Sequence, residues 1–150
     1  MEEKEMKILI FSLNGEHYAT DITDVERILR YIEPTKMPDV PEFVEGVINY
    51  GDEILPILNL SKKFKFSSND EVNYEEKKII VIKRGNKFGV IVDIVYEVTD
   101  ISNDIFEKAP KITSAISKNY IKGLVKLNGE IIILLDIDKV LSDQEEELIF

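Results

Sequence analysis

The sequence predicts an all-β protein made of two five-stranded barrels that pack on a common hydrophobic core. The first observation is the segment Gly46–Leu60, GVINYGDEILPILNL, which reads as two apolar strands joined by a two-residue turn at Gly51-Asp52. A glycine-containing pair between hydrophobic runs is a β-hairpin signal, because glycine supplies the positive φ that such turns need. The second observation is that Gly123–Ile137, GLVKLNGEIIILLDI, repeats the same length and order with Asn128-Gly129 at the turn.

The third observation concerns strands that are apolar on both faces. Ile79–Ile82 and Ile131–Leu135 are nearly unbroken hydrophobic runs. A barrel strand with one solvent-exposed face should alternate between apolar and polar residues. These strands do not alternate, so they need a second packing layer that covers their outer face. A neighbouring barrel supplies that cover, and we therefore expect the two barrels to share a core.

Internal duplication sets the expected domain organisation. The stretch Ile8–Ile28 resembles Ile79–Val98, so the repeat extends back from each of the two hairpins. We expect one domain over residues 1–150, with approximate repeats at 6–66 and 77–143 between which strands can be exchanged. Half of this length would bury only about 60% of its unfolded surface, so an interface shared by two repeats is physically reasonable.

The first half of the chain is predicted to hold five strands with short turns between them. These strands are Met6–Leu13, Glu16–Ile22, Arg27–Ile32 and the two arms of the Gly46–Leu60 hairpin. Thr23, with Glu26 three residues later, has the spacing of a capping box and predicts one helical turn. Glu33–Glu42 contains three prolines, which lack the N–H that a sheet ladder needs, so it is a loop. Further helical turns are predicted at Pro41–Val44 and Ser61–Phe64.

The second half of the chain repeats this order. Its strands are Lys78–Arg84, Lys87–Val92, Tyr96–Ile101 and the two arms of the Gly123–Ile137 hairpin, with a turn at Gly85-Asn86. Polar residues over Lys65–Lys77 predict the connection between the repeats. The remaining segments are helical turns at Ser102–Phe106 and Asp138–Leu141, a second proline-containing loop at Glu107–Asn119, and an acidic tail, Gln144–Leu148, that is helical or frayed.

Composition and charge exclude several classes of function. The formal net charge is −10, whereas binding to phosphates requires a basic face that releases counterions. Lys62, Lys63 and Lys65 form too short a basic run to change this, so we expect no nucleic-acid partner. The absence of cysteine excludes thiolate chemistry. The chain starts with no signal peptide and has no apolar run of bilayer length, which indicates a cytoplasmic protein without direct membrane insertion.

Few residues offer catalytic chemistry. His17 is the single histidine and lies beside a predicted turn, where we expect a solvated side chain rather than a general base. No glycine-rich phosphate loop occurs. Asp136-x-Asp138 has the first spacing of a calcium loop, but Val140 and Leu141 stand where a ligand and a glycine are needed. Capping of the helical turn at Asp138 explains the aspartates better. We therefore predict no catalytic residues, no metal site and no cofactor.

Five segments, spread in order over nearly the whole chain, carry a family resemblance. They are Phe11–Leu13 with Tyr18–Val25, Pro41–Asn49, Ile54–Leu60, Phe88–Asp93, and Gly123–Val125 with Leu135–Leu141. Together they resemble the CheW family of chemotaxis coupling proteins, which implies two tandem barrels of OB/SH3-like type. The resemblance also implies a non-catalytic adaptor that couples transmembrane chemoreceptors to the histidine kinase CheA and is recruited to membrane receptor arrays.

The resemblance further implies two binding surfaces. A groove between the barrels would bind the cytoplasmic tip of methyl-accepting chemoreceptors, and a second surface would bind the regulatory domain of CheA. The positions that match the receptor-binding groove are Val25, Ile28, Gly46, Asn49, Tyr50, Gly51, Val95 and Val98. The positions that match the kinase-binding surface are Met37, Pro38, Phe106 and Ile112.

One departure from the family pattern lies at the first hairpin turn. Relatives usually read Asn-Leu-Arg-Gly there, whereas this chain reads Asn-Tyr-Gly-Asp over Asn49–Asp52. Glycine in the first turn position predicts type II′ geometry with positive φ at Gly51, and Asp52 with Glu53 predicts an acidic tip. An alternative function stays open at this point, because the same scaffold could serve as an OB-like domain that binds another ligand or nucleic acid.

Overall fold

β-strands form most of the structure. The computed structural model describes residues 5–66, 76–102, 105–107 and 120–150, apart from the side chains of Arg84 and Phe106. The strands are β1 (Met6–Leu13), β2 (Glu16–Asp21), β3 (Val25–Arg30), β4 (Val44–Tyr50), β5 (Glu53–Asn59), β6 (Lys78–Arg84), β7 (Asn86–Val92), β8 (Ile94–Ile101), β9 (Phe106–Glu107), β10 (Ile121–Leu127) and β11 (Glu130–Leu135). They are accompanied by the helices α1 (Leu60–Lys63) and α2 (Asp143–Ile149) and by 3-10 turns at Ile22–Asp24 and Ile137–Lys139. Among the described helices, none has the length and apolar character needed to cross a lipid bilayer.

The strands form two sheets with matching order. One sheet runs β3-β6-β7-β5-β4, and the other runs β8-β1-β2-β11-β10, with the two-residue strand β9 added beyond β10. One contact in each sheet is parallel, β5 with β7 and β11 with β2, and the other contacts are antiparallel. This arrangement confirms the predicted all-β class with two five-stranded units.

Each sheet combines strands from both halves of the sequence. The β1–β2 hairpin lies between β8 and β11, and the β6–β7 hairpin lies between β3 and β5. The two sheets correspond strand by strand, and each combines a hairpin from one half of the sequence with strands from the other half. Strand exchange between the repeats stays a prediction. The repeat boundaries at 6–66 and 77–143 stay a prediction.

Three clusters of buried side chains explain the long apolar runs. The side chains of β1 alternate between two of the clusters, and those of β6 alternate in the same way. The central cluster, between the sheets, contains Leu9, Phe11, Leu13, Ile80 and Ile82, whereas two smaller clusters contain Ile8 with Ile10 and Ile79 with Val81. Both faces of these strands are buried, so they lack the polar alternation of a half-exposed strand. The prediction of a second cover is confirmed for Ile79–Ile82, but Ile131 is 60% exposed, so the run Ile131–Leu135 is not buried throughout.

The two related hairpins use different turns, as the position of glycine predicts. Two-residue loops join both hairpins. In the first loop only Gly51 has a positive φ, of +60°, which is what a type II′ turn requires. In the second loop Asn128 and Gly129 have φ values of +52° and +79°, which are the two positive values of a type I′ turn.

Several local predictions were wrong. Asp21, not Thr23, caps the first 3-10 turn, since its Oδ1 accepts hydrogen bonds from the N–H of Thr23 at 3.0 Å and from its hydroxyl at 2.8 Å. The turn at Ile137–Lys139 has Asp136 at its N-cap without a side-chain cap bond, so capping does not explain that aspartate. Pro41–Val44 forms one turn, in which the Val44 N–H donates to the Pro41 carbonyl at 2.9 Å, but the turn is not part of a helix and Val44 begins β4.

The β6–β7 connection is also tighter than expected. Asn86 already pairs with Arg84, so Gly85 alone forms the turn. Three predicted connecting segments lie partly or largely outside the described residues: Lys65–Lys77, Ser102–Phe106 and Glu107–Asn119.

Glu145 has two roles in the C-terminal helix α2, one in its cap and one in an ion pair with α1. Ser142 and Glu145 form a capping box, in which Ser142 Oγ accepts from the Glu145 N–H at 3.2 Å and Glu145 Oε1 accepts from the Ser142 N–H at 2.9 Å. The same Oε1 lies 2.6 Å from Nζ of Lys63, in α1. The ring of Phe150 lies 6.4 Å from that of Phe88 in β7, so the end of the chain packs on the sheet that contains β7.

We expect acid to release α2. Burial raises the pKa of Glu145, but the hydrogen bonds from Lys63 and Ser142 outweigh burial, so this pKa lies below its ordinary value. A lowered folded-state pKa contributes stability that is fully present above the unfolded-state pKa, about 4.3 for glutamate, and is lost as pH falls through the folded-state value. The amide signals of α2, followed by NMR from neutral to acidic pH, should therefore lose their helical shifts with a midpoint below the ordinary glutamate pKa.

Glu145→Gln is the matched variant for this titration. Glutamine preserves the hydrogen bonds of the capping box but removes the charge that pairs with Lys63. Its α2 signals should be weakened already at neutral pH and should change little on acidification. A variant whose helix follows the same acid transition as the wild-type helix would contradict this assignment.

Candidate binding groove

Strands β3 and β8 occupy matching edges of the two sheets. The pairing register of each edge strand shifts once. In β3, which pairs with β6, the shift lies between Val25 and Arg27. In β8, which pairs with β1, it lies opposite Leu9 and Phe11. A bulge of this kind puts an extra residue in one strand, so that residues three apart face the same side. The residues placed in this way are Val25 with Ile28 in β3 and Val95 with Val98 in β8.

These four residues, which we call the edge-strand strip, continue the central core to the surface. Their partners in the neighbouring strands are Ile82, Ile80, Phe11 and Leu9, respectively, and all four partners belong to the central cluster. Directly opposed residues share one face of a sheet, so the strip lies on the face that carries the central cluster. Val25 and Val95 pack against that cluster, while Ile28 and Val98 are 41% and 49% exposed. Two apolar side chains at equivalent positions are thus available for contact.

Gly46 allows another segment of backbone to approach closely and contributes no side chain to the strip. It lies in β4, at the opposite end of the sheet order from β3, and has a φ of +144°. A Cβ atom there would stand 2.1 Å from the carbonyl oxygen of Thr35. Thr35 donates its N–H to the Val47 carbonyl at 2.8 Å and accepts from the Val47 N–H at 2.9 Å. Glycine therefore lets the loop between β3 and β4 dock on β4.

Tyr50 joins the two edges of its sheet. Its hydroxyl donates a hydrogen bond to Glu26 Oε2 at 2.7 Å, and the guanidinium carbon of Arg27 lies 6.0 Å from its ring centre. Glu26 and Arg27 belong to β3, whereas Tyr50 belongs to β4, so these contacts connect the first and last strands of the sheet and close it as a barrel. Asn49 and Gly51, the neighbours of Tyr50, are exposed.

Lys87 partly neutralises the tip that the sequence predicts to be acidic. Its Nζ lies 3.1 Å from Glu26 and 3.4 Å from Glu53. Hydrogen bonds from Tyr50 and Lys87 lower the pKa of Glu26, and hydrogen bonds to Glu26 and Glu53 raise the pKa of Lys87. The hydrogen bond to Glu26 likewise raises the pKa of Tyr50. Lys87 could not be recognised from the sequence, because its two partners lie on other strands.

The candidate kinase surface is partly described. Met37 is 46% exposed and Pro38 is also exposed, and both lie in the loop that the Thr35 backbone fixes to β4. Phe106 begins β9 in the other sheet, and its side chain lies outside what the structure describes. Ile112 lies entirely outside the described residues. Met37 therefore lies in a loop beside one sheet, whereas Phe106 lies in a strand of the other sheet.

His17 is more enclosed than the sequence predicts. Its Nδ1 lies 2.7 Å from Glu130 Oε2, and its ring meets that of Tyr96 edge-on with 5.0 Å between the ring centres. These contacts link β2 with β11 and β8, which is a structural role. Within the described residues, histidine, aspartate and glutamate side chains form no group of three or more that could hold a metal ion.

Comparisons with known proteins decide the family. A model of the CheW-like domain matches residues 7–145. This chain belongs to the CheW-like family. The chemotaxis proteins CheW of Klebsiella aerogenes and Treponema pallidum are 32% and 31% identical to it, over 95% and 97% of this chain and 86% and 87% of their own. The crystal structure of the scaffolding protein TtCheW from Thermoanaerobacter tengcongensis matches with a TM-score of 0.83 at 31% identity, over 95% of this chain and 96% of that one.

The CheW-like match confirms the predicted family and bears on both candidate surfaces. It spans both sheets and ends within α2. The edge-strand strip on β3 and β8, and the loop that docks on β4, both lie inside the matched range. Both therefore belong to the part of the chain that the family model matches.

Proposed function

We propose that this chain is a non-catalytic chemotaxis adaptor that binds both the cytoplasmic tip of chemoreceptors and the regulatory domain of the histidine kinase CheA. The observation that carries the proposal is the edge-strand strip in a chain of the CheW-like family. By holding kinase and receptor together, the adaptor acts through effective concentration rather than through a reaction of its own. It is recruited in this way to receptor arrays at the membrane.

The strip is suited to a helical partner. Recognition of a helix in a groove uses a few apolar anchors on the helix that pack on apolar side chains of the groove. Ile28 and Val98 are exposed at equivalent positions, and Val25 and Val95 behind them are supported by the central core. Rigid support of this kind keeps the contact surface preorganised, which reduces the ordering cost of binding. The tip of a chemoreceptor, a helical hairpin, is the proposed occupant.

A separate surface is proposed for the kinase. Met37 and Pro38 lie in the loop that Thr35 fixes to β4, whereas the strip consists of residues of β3 and β8. We assign the kinase contact to this loop, to Phe106 in β9 of the other sheet, and to Ile112, which lies outside the described residues. Two partners can then bind at once, which is the requirement for an adaptor.

Co-sedimentation with purified fragments tests the proposed function. The chain is mixed with the regulatory domain of CheA and with a soluble cytoplasmic fragment of a chemoreceptor from the same organism, separately and together. We expect a complex with each fragment and a ternary complex when both are present. Competition between the fragments, or binding to only one of them, would contradict the coupling role. ATP hydrolysis by the chain alone would contradict the non-catalytic role.

A further inference from the structure

Two positive charges lie side by side at the end of the strip, in a chain whose net charge is −10. Arg30, the last residue of β3, is directly opposite Lys78, the first residue of β6. Arg30 is exposed and Lys78 is half-buried. Neither residue forms an ion pair within the part of the chain that the structure describes. Like charges directly opposite each other on neighbouring strands are destabilising, so this pair is not there for the stability of the sheet.

The register places both cations on the face of the strip. Ile28 lies opposite Ile80, and Arg30 and Lys78 are each two residues further along the same strands. Side chains two apart in a strand share a face. Lys78 also lies opposite Val92 of β7, the second neighbour of β6, and Val92 belongs to the central cluster. This pairing too places Lys78 on the face of the strip.

The equivalent position on the other sheet has the opposite charge. Val98 of β8 corresponds to Ile28, and Asp100, two residues later, corresponds to Arg30. Asp100 lies opposite Lys7, with 3.9 Å between its carboxylate and the lysine Nζ. The β8 end of the strip is therefore compensated within the chain, whereas the β3 end presents two uncompensated cations.

We propose that the β3 end of the strip binds a carboxylate of the partner helix, and that the strip thereby sets which way round this helix docks. The proposal rests on the proposed function, because it takes the receptor helix as the occupant. The partner it describes is an apolar helix with an aspartate or glutamate close to the side chain that packs on Ile28. Arginine suits this role because its planar guanidinium can bind a carboxylate through two parallel hydrogen bonds.

The spacing of the strand and of a helix agree. Ile28 and Arg30 are two strand residues apart, which is a distance of about 6.7 Å along β3. Residues four apart on a helix are separated by about 6 Å along its axis and lie on one face. A helix lying along β3 can thus place an apolar residue on Ile28 and an acidic residue four positions away on Arg30 and Lys78.

Charge reversal of Arg30 tests this inference. The variants Arg30→Glu and Arg30→Gln are titrated with the soluble chemoreceptor fragment at about 50 mM and about 300 mM NaCl, since screening separates charge contacts from apolar ones. We expect Arg30→Glu to weaken binding at least tenfold, and Arg30→Gln to weaken it by about threefold to tenfold, at the lower salt concentration. Both losses should shrink at the higher concentration. The thermal stability of Arg30→Gln should stay unchanged or rise, because the repulsion from Lys78 is removed.

Lys122→Glu is the matched control. Lys122 is an exposed lysine of β10 with no ion pair among the described residues, and its reversal changes the net charge of the chain by the same amount. If Arg30→Glu binds as Lys122→Glu does while Ile28→Asp loses binding, the charge contact is wrong and the proposed receptor groove stands. If Ile28→Asp also binds normally, the groove itself is wrong, and the present inference fails with it.

Discussion

Gly46→Ala should destabilise this chain by about 3 kcal/mol or more, the largest effect on stability that we expect from a change of a single methyl group. The φ of +144° at this residue is costly for any side chain with a Cβ atom. The added Cβ would also lie 2.1 Å from the Thr35 carbonyl oxygen. Thr35 cannot move away freely because two hydrogen bonds hold it to Val47. Differential scanning calorimetry measures the change, which corresponds to a decrease in Tm of roughly 6–12 °C for a chain of this size.

Gly129→Ala separates the cost of backbone strain at positive φ from the cost of steric overlap between the added Cβ atom and a neighbouring residue. Gly129 also has a positive φ, of +79°, but a Cβ there meets no atom within 4 Å. Its replacement should therefore cost only the backbone strain, about 1–2 kcal/mol. Equal losses for the two variants would show that the contact with Thr35 is not decisive. If Gly46→Ala stays folded, displacement of the loop should weaken binding to CheA more than binding to the receptor fragment.

The strands could be predicted from the sequence because their signals are local. Two-residue turns between apolar runs fix a hairpin within about fifteen residues, and the position of Gly51 even determined the turn type. Strands buried on both faces also leave a local signal, as Ile79–Ile82 does. The pairing of β2 with β11 and of β5 with β7 is different, because no short segment contains both partners. The repeat suggested that strands could be exchanged, but it could not show that β1–β2 would lie between β8 and β11.

The candidate site was predictable only in its apolar part. Val25, Ile28, Val95 and Val98 follow from the family resemblance, and the paired bulges explain why their spacing is three rather than two. The charged contacts join side chains that lie far apart in the sequence. Lys87 of β7 meets Glu26 of β3 and Glu53 of β5 only because these three strands belong to one folded sheet, and Arg30 lies beside Lys78 only through the register of β3 with β6. Asp21 replaced Thr23 as a cap because its carboxylate reaches the Thr23 N–H in the folded turn.

Ile28→Asp should weaken binding to the chemoreceptor fragment on the order of 100-fold, the largest effect on binding that we expect from one substitution. An apolar anchor at the centre of an interface typically contributes about 2–4 kcal/mol, and a carboxylate in its place must also lose its hydration. Ile28 is 41% exposed in the free chain, so the folded state loses little by the change. Isothermal titration calorimetry with the fragment gives the affinity, and a thermal melt of the same sample gives the stability.

Ile54→Asp is the control that makes this result specific. Ile54 is an isoleucine of the same sheet, in β5, is 69% exposed and lies outside the strip. It undergoes the same change in charge, size and strand propensity, so any general effect of the substitution appears in both variants. We expect Ile54→Asp to bind the receptor fragment like the wild type. A common loss of affinity in both variants would point to a nonspecific effect of the added charge. Normal binding by Ile28→Asp would remove the edge-strand strip as the receptor site, because an anchor on which a helix packs cannot be replaced by a buried carboxylate without loss of affinity.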